Sequence, residues 1–258
     1  MIPKKIHFTW FSNDPYPELI QNCMQTWKEF LPDYEFIHWD MNRIADIDNC
    51  FLWEALEKKK WAFAADFVRL YALYHEGGIY LDTDVEVFRN FDDLLHYEAF
   101  IGKENSFHVK NQRKAVRFLT SHCMGARKEH PFMKACLDYY SDRHFILSHN
   151  ESLPDTLRYD QTILPFIQLE IAKMFDYNPS DKIKEVQTVK DGLTVLPVTC
   201  FDPFNPTKKS YCLHLAMGSW RGREKNFNFS ATQKIKKKLI ISASEALAKM
   251  NIVAYRKL

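Results

Sequence analysis

Glycine is scarce in this chain, with seven residues in 258, under half of the roughly 7% of ordinary usage. Four of the seven fall in two short segments: Gly77 and Gly78 are adjacent, and Gly218 and Gly222 bracket Ser219, Trp220 and Arg221. Both segments read as places where the backbone does something a side chain would forbid. The six cysteines form no C-x-x-C pair and no zinc spacing, which excludes a disulfide-stapled scaffold and predicts reduced, buried structural thiols. No run of 18 apolar residues occurs, and Met1 leads directly into Pro3, Lys4, Lys5 and an alternating strand pattern. No signal peptide or membrane anchor is therefore expected. Nor is there an excess of one charge: 35 basic against 33 acidic residues leave a net charge of +2, so no nucleic-acid partner is expected.

What is present is an ordinary globular balance of 46% apolar and 26% charged residues, with aromatics raised to 15%. At about 100 to 200 residues per domain, the length allows one large domain or two small ones with a buried core. Charge is uneven along it. Residues 231–258 hold seven basic residues and one acid, so the first 230 carry a net charge of −4. This predicts a main domain over 1–230 and a distinct basic helix over 231–258.

Ile6, Phe8 and Trp10 alternate with polar neighbours as a half-buried strand does. After a turn over Ser12 to Pro17, Leu19, Ile20, Cys23, Met24 and Trp27 sit at helical spacing, and a second strand is expected from Tyr34 to Trp39. A long helical stretch from Phe51 to His75, with a break near Lys58 to Lys60, ends at Gly77 in the manner of a glycine C-cap. Ile79, Tyr80 and Leu81 are then apolar on both faces, as in a central strand covered by helices. Further strands are expected near Phe100, His122 to Ala126 and Thr194 to Pro197, with helices near Pro131 to Tyr140 and Thr162 to Phe175. Alternating strands and helices predict an α/β fold with a largely parallel sheet, whose ligands bind at the carboxyl ends of strands.

Asp82 and Asp84 stand at that place. In a continued strand they would point to opposite faces. If the chain turns at Thr83, both converge on one hard cation, and Mg2+ or Mn2+ so held completes its shell with water and phosphate oxygens. The bland alternative is a solvated loop. Upstream, Asp66 and Arg69 lie at i, i+3 on an otherwise apolar helix; such pairs are commonly weak surface pairs, but unpaired charge on an apolar helix is expensive, which favours a working pair.

The run from Ala64 to Val87 resembles the signature of the glycosyltransferases with a DXD sugar-binding region, family 32, whose relatives include fungal Golgi mannosyltransferases and large glucosylating toxins. Ile2 to Trp10 resembles that family's first strand, and His214 through Ser219-Trp220 its carboxy-terminal His and Ser-Trp element. The resemblance implies a GT-A fold, with a Rossmann-like mixed sheet flanked by helices, and a retaining, metal-dependent transfer of a hexose from a nucleotide sugar, UDP-linked or GDP-linked, to a saccharide or lipid-linked saccharide acceptor. It implies that Trp10 stacks beside the base, that Asp66 and Arg69 bind the donor, and that Tyr80 packs against it. Asp82 would hold the ribose and the metal shell, and Asp84 the Mn2+ or Mg2+ itself. Trp220 and Ser219 would reach the diphosphate, with Gly218 and Gly222 as hinges of a lid. His214 is a third metal ligand or a satisfied strand-end histidine. Asp160 and Gln161 resemble the sugar-contacting dipeptide of retaining GT-A enzymes, although Asp160 also fits a helix cap. No covalent nucleophile stands out, which favours a front-face route.

The tail from residue 231 has apolar residues at helical spacing beside Lys234, Lys236, Lys237 and Lys238, which suits either a docked terminal helix or peripheral contact with anionic membrane. Two rivals remain: a haloacid dehalogenase-type phosphohydrolase, whose nucleophile motif Asp82-Thr83-Asp84 also resembles, and a non-catalytic nucleotide-sugar binding protein. With no signal or span, the expected setting is a bacterial cytoplasm, peripheral to the inner face of the plasma membrane, in capsule, lipopolysaccharide or other surface polysaccharide synthesis.

Overall fold

The computed structural model describes residues 1–104, 118–180 and 185–216. The chain opens with β1 (Lys5–Thr9), α1 (Glu18–Phe30) and β2 (Glu35–Trp39). Ile20, Cys23 and Trp27 form the buried stripe of α1, the spacing of an amphipathic helix. Next come α2 (Cys50–Glu57) and α3 (Trp61–Glu76). Asn49 starts α2 by accepting the Leu52 N–H at 2.9 Å, and the expected break falls at Lys58 to Lys60, where Lys59 takes φ +54°. β3 (Gly78–Leu81), β4 (Val85–Val87), β5 (Ala99–Lys103) and β6 (Leu119–Ala126) follow, then α4 (Pro131–Asp138), α5 (Asp155–Arg158), α6 (Leu164–Met174), β7 (Gln187–Thr188), β8 (Leu193–Leu196), α7 (Val198–Phe201) and β9 (Cys212–His214).

Seven strands form one mixed sheet in the order β2-β1-β3-β6-β5-β8-β7. The parallel expectation holds for β2, β1 and β3 and for β5 beside β8, while β6 runs antiparallel to both β3 and β5 and β7 antiparallel to β8. β4 and β9 make a separate antiparallel ribbon with Val85 opposite His214. Three-residue strands show no periodicity, so neither was legible beforehand.

Gly77 and Gly78 are fixed by sterics. Gly77 closes α3 at φ +68°, where a Cβ would meet the Lys128 nitrogen at 2.7 Å; Gly78 enters β3 at φ +117°, where one would meet the Lys5 carbonyl at 2.8 Å. The turn can therefore lay β3 directly against β1. Between them His7 is fully buried and satisfied: Trp39 donates its indole N–H to Nδ1 at 3.0 Å, and Nε2 donates to the Gly77 carbonyl at 2.7 Å.

The two faces of the sheet carry two cores. Tyr80, Ile101, Met124 and Val195 pack with α2, α3, α4 and α6 through Leu52, Phe67, Val68, Phe132 and Ile167. Ile6, Phe8, Ile79, Leu81, Phe100 and Cys123 pack on the other face with Trp27, Val85, Phe201 and Cys212. Trp27 also donates its indole N–H to the Val85 carbonyl at 2.7 Å, which ties the β4–β9 ribbon to α1. All six cysteines are free thiols and all but Cys50 are buried, as expected. The basic segment 231–258 and the boundary drawn at residue 230 lie outside the described residues.

Candidate active site

β3 delivers Asp82 to the carboxyl edge of the sheet, where its N–H donates to the His122 carbonyl on β6 at 3.0 Å. The chain then turns as anticipated. The Val85 N–H donates back to the Asp82 carbonyl at 3.0 Å, closing a four-residue turn through Thr83 and Asp84. Both carboxylates are thereby brought to one side. The ribbon supplies the third group: Leu215 N–H donates to the Asp84 carbonyl at 3.0 Å, and His214 Nε2 lies 3.1 Å from Asp84 Oδ1. Ligand atoms of Asp82, Asp84 and His214 all fall within 4.8 Å of one another. Burial works to lower the His214 pKa, but the Asp84 carboxylate, then Asp82 and Asp202, overcome it and raise the ring to about 9. Its stacking partner His122, with centroids 4.6 Å apart, is held far below the ordinary range by burial and by the charge of His214. It is neutral and donates Nε2–H to the Phe201 carbonyl at 3.1 Å.

Behind the turn stands Arg69, only 4% exposed. Its guanidinium meets Asp66 at 3.1 Å and both oxygens of Asp82 at 3.2 and 3.3 Å. It also donates to the carbonyls of Ser121 at 2.6 Å and Ala65 at 3.2 Å. This is no surface pair. The fork geometry of the guanidinium locks α3 to the β3 turn and to β6, and little of its donor capacity is left over. Burial first, with Asp82 adding and Arg69 opposing, pushes the Asp66 carboxyl up to about 6, and the N–H of Leu164 at the start of α6 donates to it.

Tyr80 is 0% exposed, with the Arg69 guanidinium 4.6 Å over its ring. Its hydroxyl takes the Thr9 proton at 3.0 Å and donates to Asp82 Oδ1 at 3.1 Å. It props Arg69 and Asp82 from below. Trp10, just beyond β1, is half-buried; it donates its indole N–H to the Asp14 carbonyl at 3.0 Å and meets Tyr16 edge-on at 5.0 Å.

The structure thus gathers Asp66, Arg69, Tyr80, Asp82, Asp84 and His214. Asp160 does not cap α6, which begins four residues later; it accepts the Thr162 N–H at 3.0 Å and meets Arg143 at 3.4 Å. Gln161 is exposed, and among the described residues no hydrogen bond links either to the cluster. Gly218, Ser219, Trp220 and Gly222 lie outside the described residues.

Sequence reasoning passed over two groups. Glu104, just past β5, is only 8% exposed; burial, then the negative charge of Asp202, pushes its carboxyl up to about 8. A lone glutamate at a strand end has no spacing signature by which it could have been found. Nor did His122 stand out from the other core histidines.

Comparison with known proteins agrees with this geometry. Residues 17–101 match the family model described as glycosyltransferase sugar-binding region containing DXD motif. An inositol phosphoceramide mannosyltransferase of Schizosaccharomyces pombe is 33% identical over 136 residues, covering 51% of this chain and 35% of its own. A mannosyl phosphorylinositol ceramide synthase of Saccharomyces cerevisiae is 33% identical over 153 residues, covering 57% and 37%. The matches span little more than a third of those relatives' length. Among solved structures, the PaToxG glycosyltransferase aligns at 18% identity and a TM-score of 0.46, over 67% of this chain and 69% of its own.

These curated relatives are fungal, which overturns the expectation of a bacterial chain at the inner face of a plasma membrane. That expectation rested on a missing apolar run, and a missing run carries no information about compartment. Among the described residues, no helix is long and apolar enough to cross a membrane. Over its matched region, which includes the carboxylate turn, the chain is similar to the glycosyltransferases with a DXD-containing sugar-binding region.

Proposed function

We propose that this chain is the catalytic part of a metal-dependent glycosyltransferase that moves a hexose, with retention, from a nucleoside-diphosphate sugar to a hydroxyl of a lipid-linked acceptor. The observation that carries this reading is the convergence of Asp82, Asp84 and His214 within 4.8 Å at the carboxyl end of a central strand, with Arg69 braced behind them. Two carboxylates and one imidazole form a donor set that suits Mn2+ or Mg2+. A divalent ion there supplies charge neutralisation for the departing diphosphate.

The remaining roles follow from the chain's own groups. Arg69, engaged by Asp66 and Asp82, positions Asp82 rather than gripping phosphate directly. Asp66 accepts a sugar hydroxyl, Trp10 and Tyr16 offer an aromatic edge to the base, and Gln161 lies free to approach the sugar. The names of the relatives favour mannose as the hexose and an inositol phosphoceramide as the acceptor. The net charge of +6 on residues 231–258 suits contact with the anionic surface that presents such a lipid. The phosphohydrolase reading loses ground because Asp82, its nucleophile, has both oxygens held by Arg69 and one also by Tyr80.

Incubation with Mn2+, phosphoinositol ceramide and a panel of GDP- and UDP-hexoses, GDP-mannose among them, tests the proposal through nucleotide release and glycolipid formation. Transfer from one donor, lost in Asp84→Asn, is expected. A chain that hydrolyses phosphate monoesters, or binds the donors without turning any of them over, would sink it.

A further inference from the structure

The metal cluster joins two stretches of chain that lie far apart in sequence, the turn after β3 and the end of β9, and residues 121 and 122 on β6 hold both. The Ser121 carbonyl accepts the Arg69 guanidinium at 2.6 Å, and Arg69 in turn holds the Asp82 carboxylate. The His122 carbonyl accepts the Asp82 N–H at 3.0 Å. The His122 ring lies flat against His214, with centroids 4.6 Å apart and planes 20° from parallel. Main-chain groups of β6 thus serve the carboxylate turn, and one side chain of β6 serves the imidazole.

That side chain is itself fixed at both ends. His122 is 2% exposed, and its Nε2–H is engaged by the carbonyl of Phe201 at 3.1 Å, the last residue of α7, where helical carbonyls lack a partner within the helix. With one end of the ring attached to β6 and the far edge hydrogen-bonded to α7, the ring cannot turn about Cβ–Cγ without losing that bond. His214 is freer. Its side chain is 29% exposed, with Nε2 3.1 Å from Asp84 Oδ1, and the torsion that turns an imidazole about Cβ–Cγ is broad and soft. A fixed flat ring at stacking distance removes this freedom, because a turn of His214 would drive an edge of its ring into His122. The plane in which its nitrogens lie is therefore set from β6.

We propose that His122 is a positioning residue that sets the ring plane of His214 and so keeps its nitrogen turned toward the divalent ion shared with Asp82 and Asp84. The proposal rests on the metal-dependent reading above and deepens it, since His122 acts through His214 and not as a ligand. Groups that orient a ligating histidine commonly do so by a hydrogen bond to its second nitrogen, and their loss costs about 10–100-fold in metal affinity. Here a stacked ring is the orienting group. An imidazole suits the position because it joins the two parts required, a flat face for His214 and an N–H at the far edge for Phe201.

Two variants separate positioning from packing, because each keeps one half of the imidazole. His122→Phe keeps the flat ring and loses the N–H, whereas His122→Gln keeps an N–H of similar reach and loses the ring. Mn2+ affinity is read from the electron paramagnetic resonance of the free ion, beside a thermal melt without metal. The expected result is a His122→Gln protein that melts near the unaltered chain and binds Mn2+ about 10–100-fold more weakly, and a His122→Phe protein that melts lower yet recovers most of the affinity. A purely structural role would make affinity follow Tm and give the opposite order. Mn2+ binding by His122→Gln equal to that of the unaltered chain, or binding by His122→Phe no better than by His122→Gln, overturns the role of His122; the metal site itself stands if Asp84→Asn still abolishes binding. No Mn2+ binding by the unaltered chain removes both. Should either variant not fold, His122→Ala carries the test with Mg2+ as the comparison. Mg2+ takes oxygen ligands, so its affinity should fall less than that of Mn2+, and an equal fall for the two ions overturns the proposal.

Discussion

Arg69 shows how much of the site depends on single residues. Its guanidinium is the common partner of Asp66 and Asp82, so Arg69→Ala leaves the buried Asp66 and the half-buried Asp82 without a counter-charge. Breaking a buried pair from one side costs about 3–5 kcal/mol, a loss that urea unfolding will show, and Arg69→Lys should recover little because an ammonium cannot span both acids as a fork does. At Asp84 the effect is on ligand binding. Mn2+ well above its Kd should raise the Tm of the unaltered chain, since a ligand at a hundredfold excess is worth about 2.7 kcal/mol, and Asp84→Asn should abolish the rise in a thermal melt.

Glu104 sets a pH dependence of defined sign. Its folded pKa is raised to about 8 from the ordinary 4.5, so between those values the folded chain binds more protons than the unfolded one. Its contribution to stability is full below pH 4.5 and declines as pH rises to about 8. Glu104→Gln should therefore flatten the fall of Tm across that window, and equal slopes for the two proteins would contradict the burial of an ionisable carboxyl group there.

At the scale of elements, the outcome depended on whether local chemistry announced itself. The break between α2 and α3 was legible because three consecutive lysines interrupt an apolar periodicity, and Gly77-Gly78 because no other residue tolerates φ +68° and +117° against neighbouring backbone. The carboxylate turn was legible as an alternative, and the Val85 to Asp82 hydrogen bond decides for it. The β4–β9 ribbon was not, since the partners are short and far apart in sequence, and pairing of that kind is set by tertiary packing. Trp27 is part of that packing. Trp27→Ala should cost about 3–5 kcal/mol and, by removing the indole N–H that holds the Val85 carbonyl, weaken Mn2+ protection as well; Trp27→Phe should restore most of the stability and less of the metal response. Protection unchanged in a folded Trp27→Ala protein would separate α1 from the site.

For the described residues, a mixed sheet with a different core on each face presents its carboxyl edge as the place where Asp82, Asp84 and His214 meet. That architecture was readable from alternation in the first 90 residues, while the second half of the sheet was blurred by short strands and by the shift of register between β5 and β6. Lipid contact belongs to this scale too. Deletion of residues 231–258, which carry seven basic residues and one acid, should reduce co-sedimentation with vesicles rich in phosphatidylserine and leave transfer to a soluble acceptor in place. Undiminished co-sedimentation would remove the tail from any role at a lipid surface.

The ribbon that holds His214 against Asp84 has a consequence for how this protein can be varied. Leu215 is hydrogen-bonded to the Asp84 carbonyl, and the three ligand groups found among the described residues, Asp82, Asp84 and His214, all precede Met217. A splice placed after Ala216 would therefore keep these three groups from one parent, and chimaeras of related chains joined there, titrated with Mn2+, would read what the downstream segment adds to ion binding.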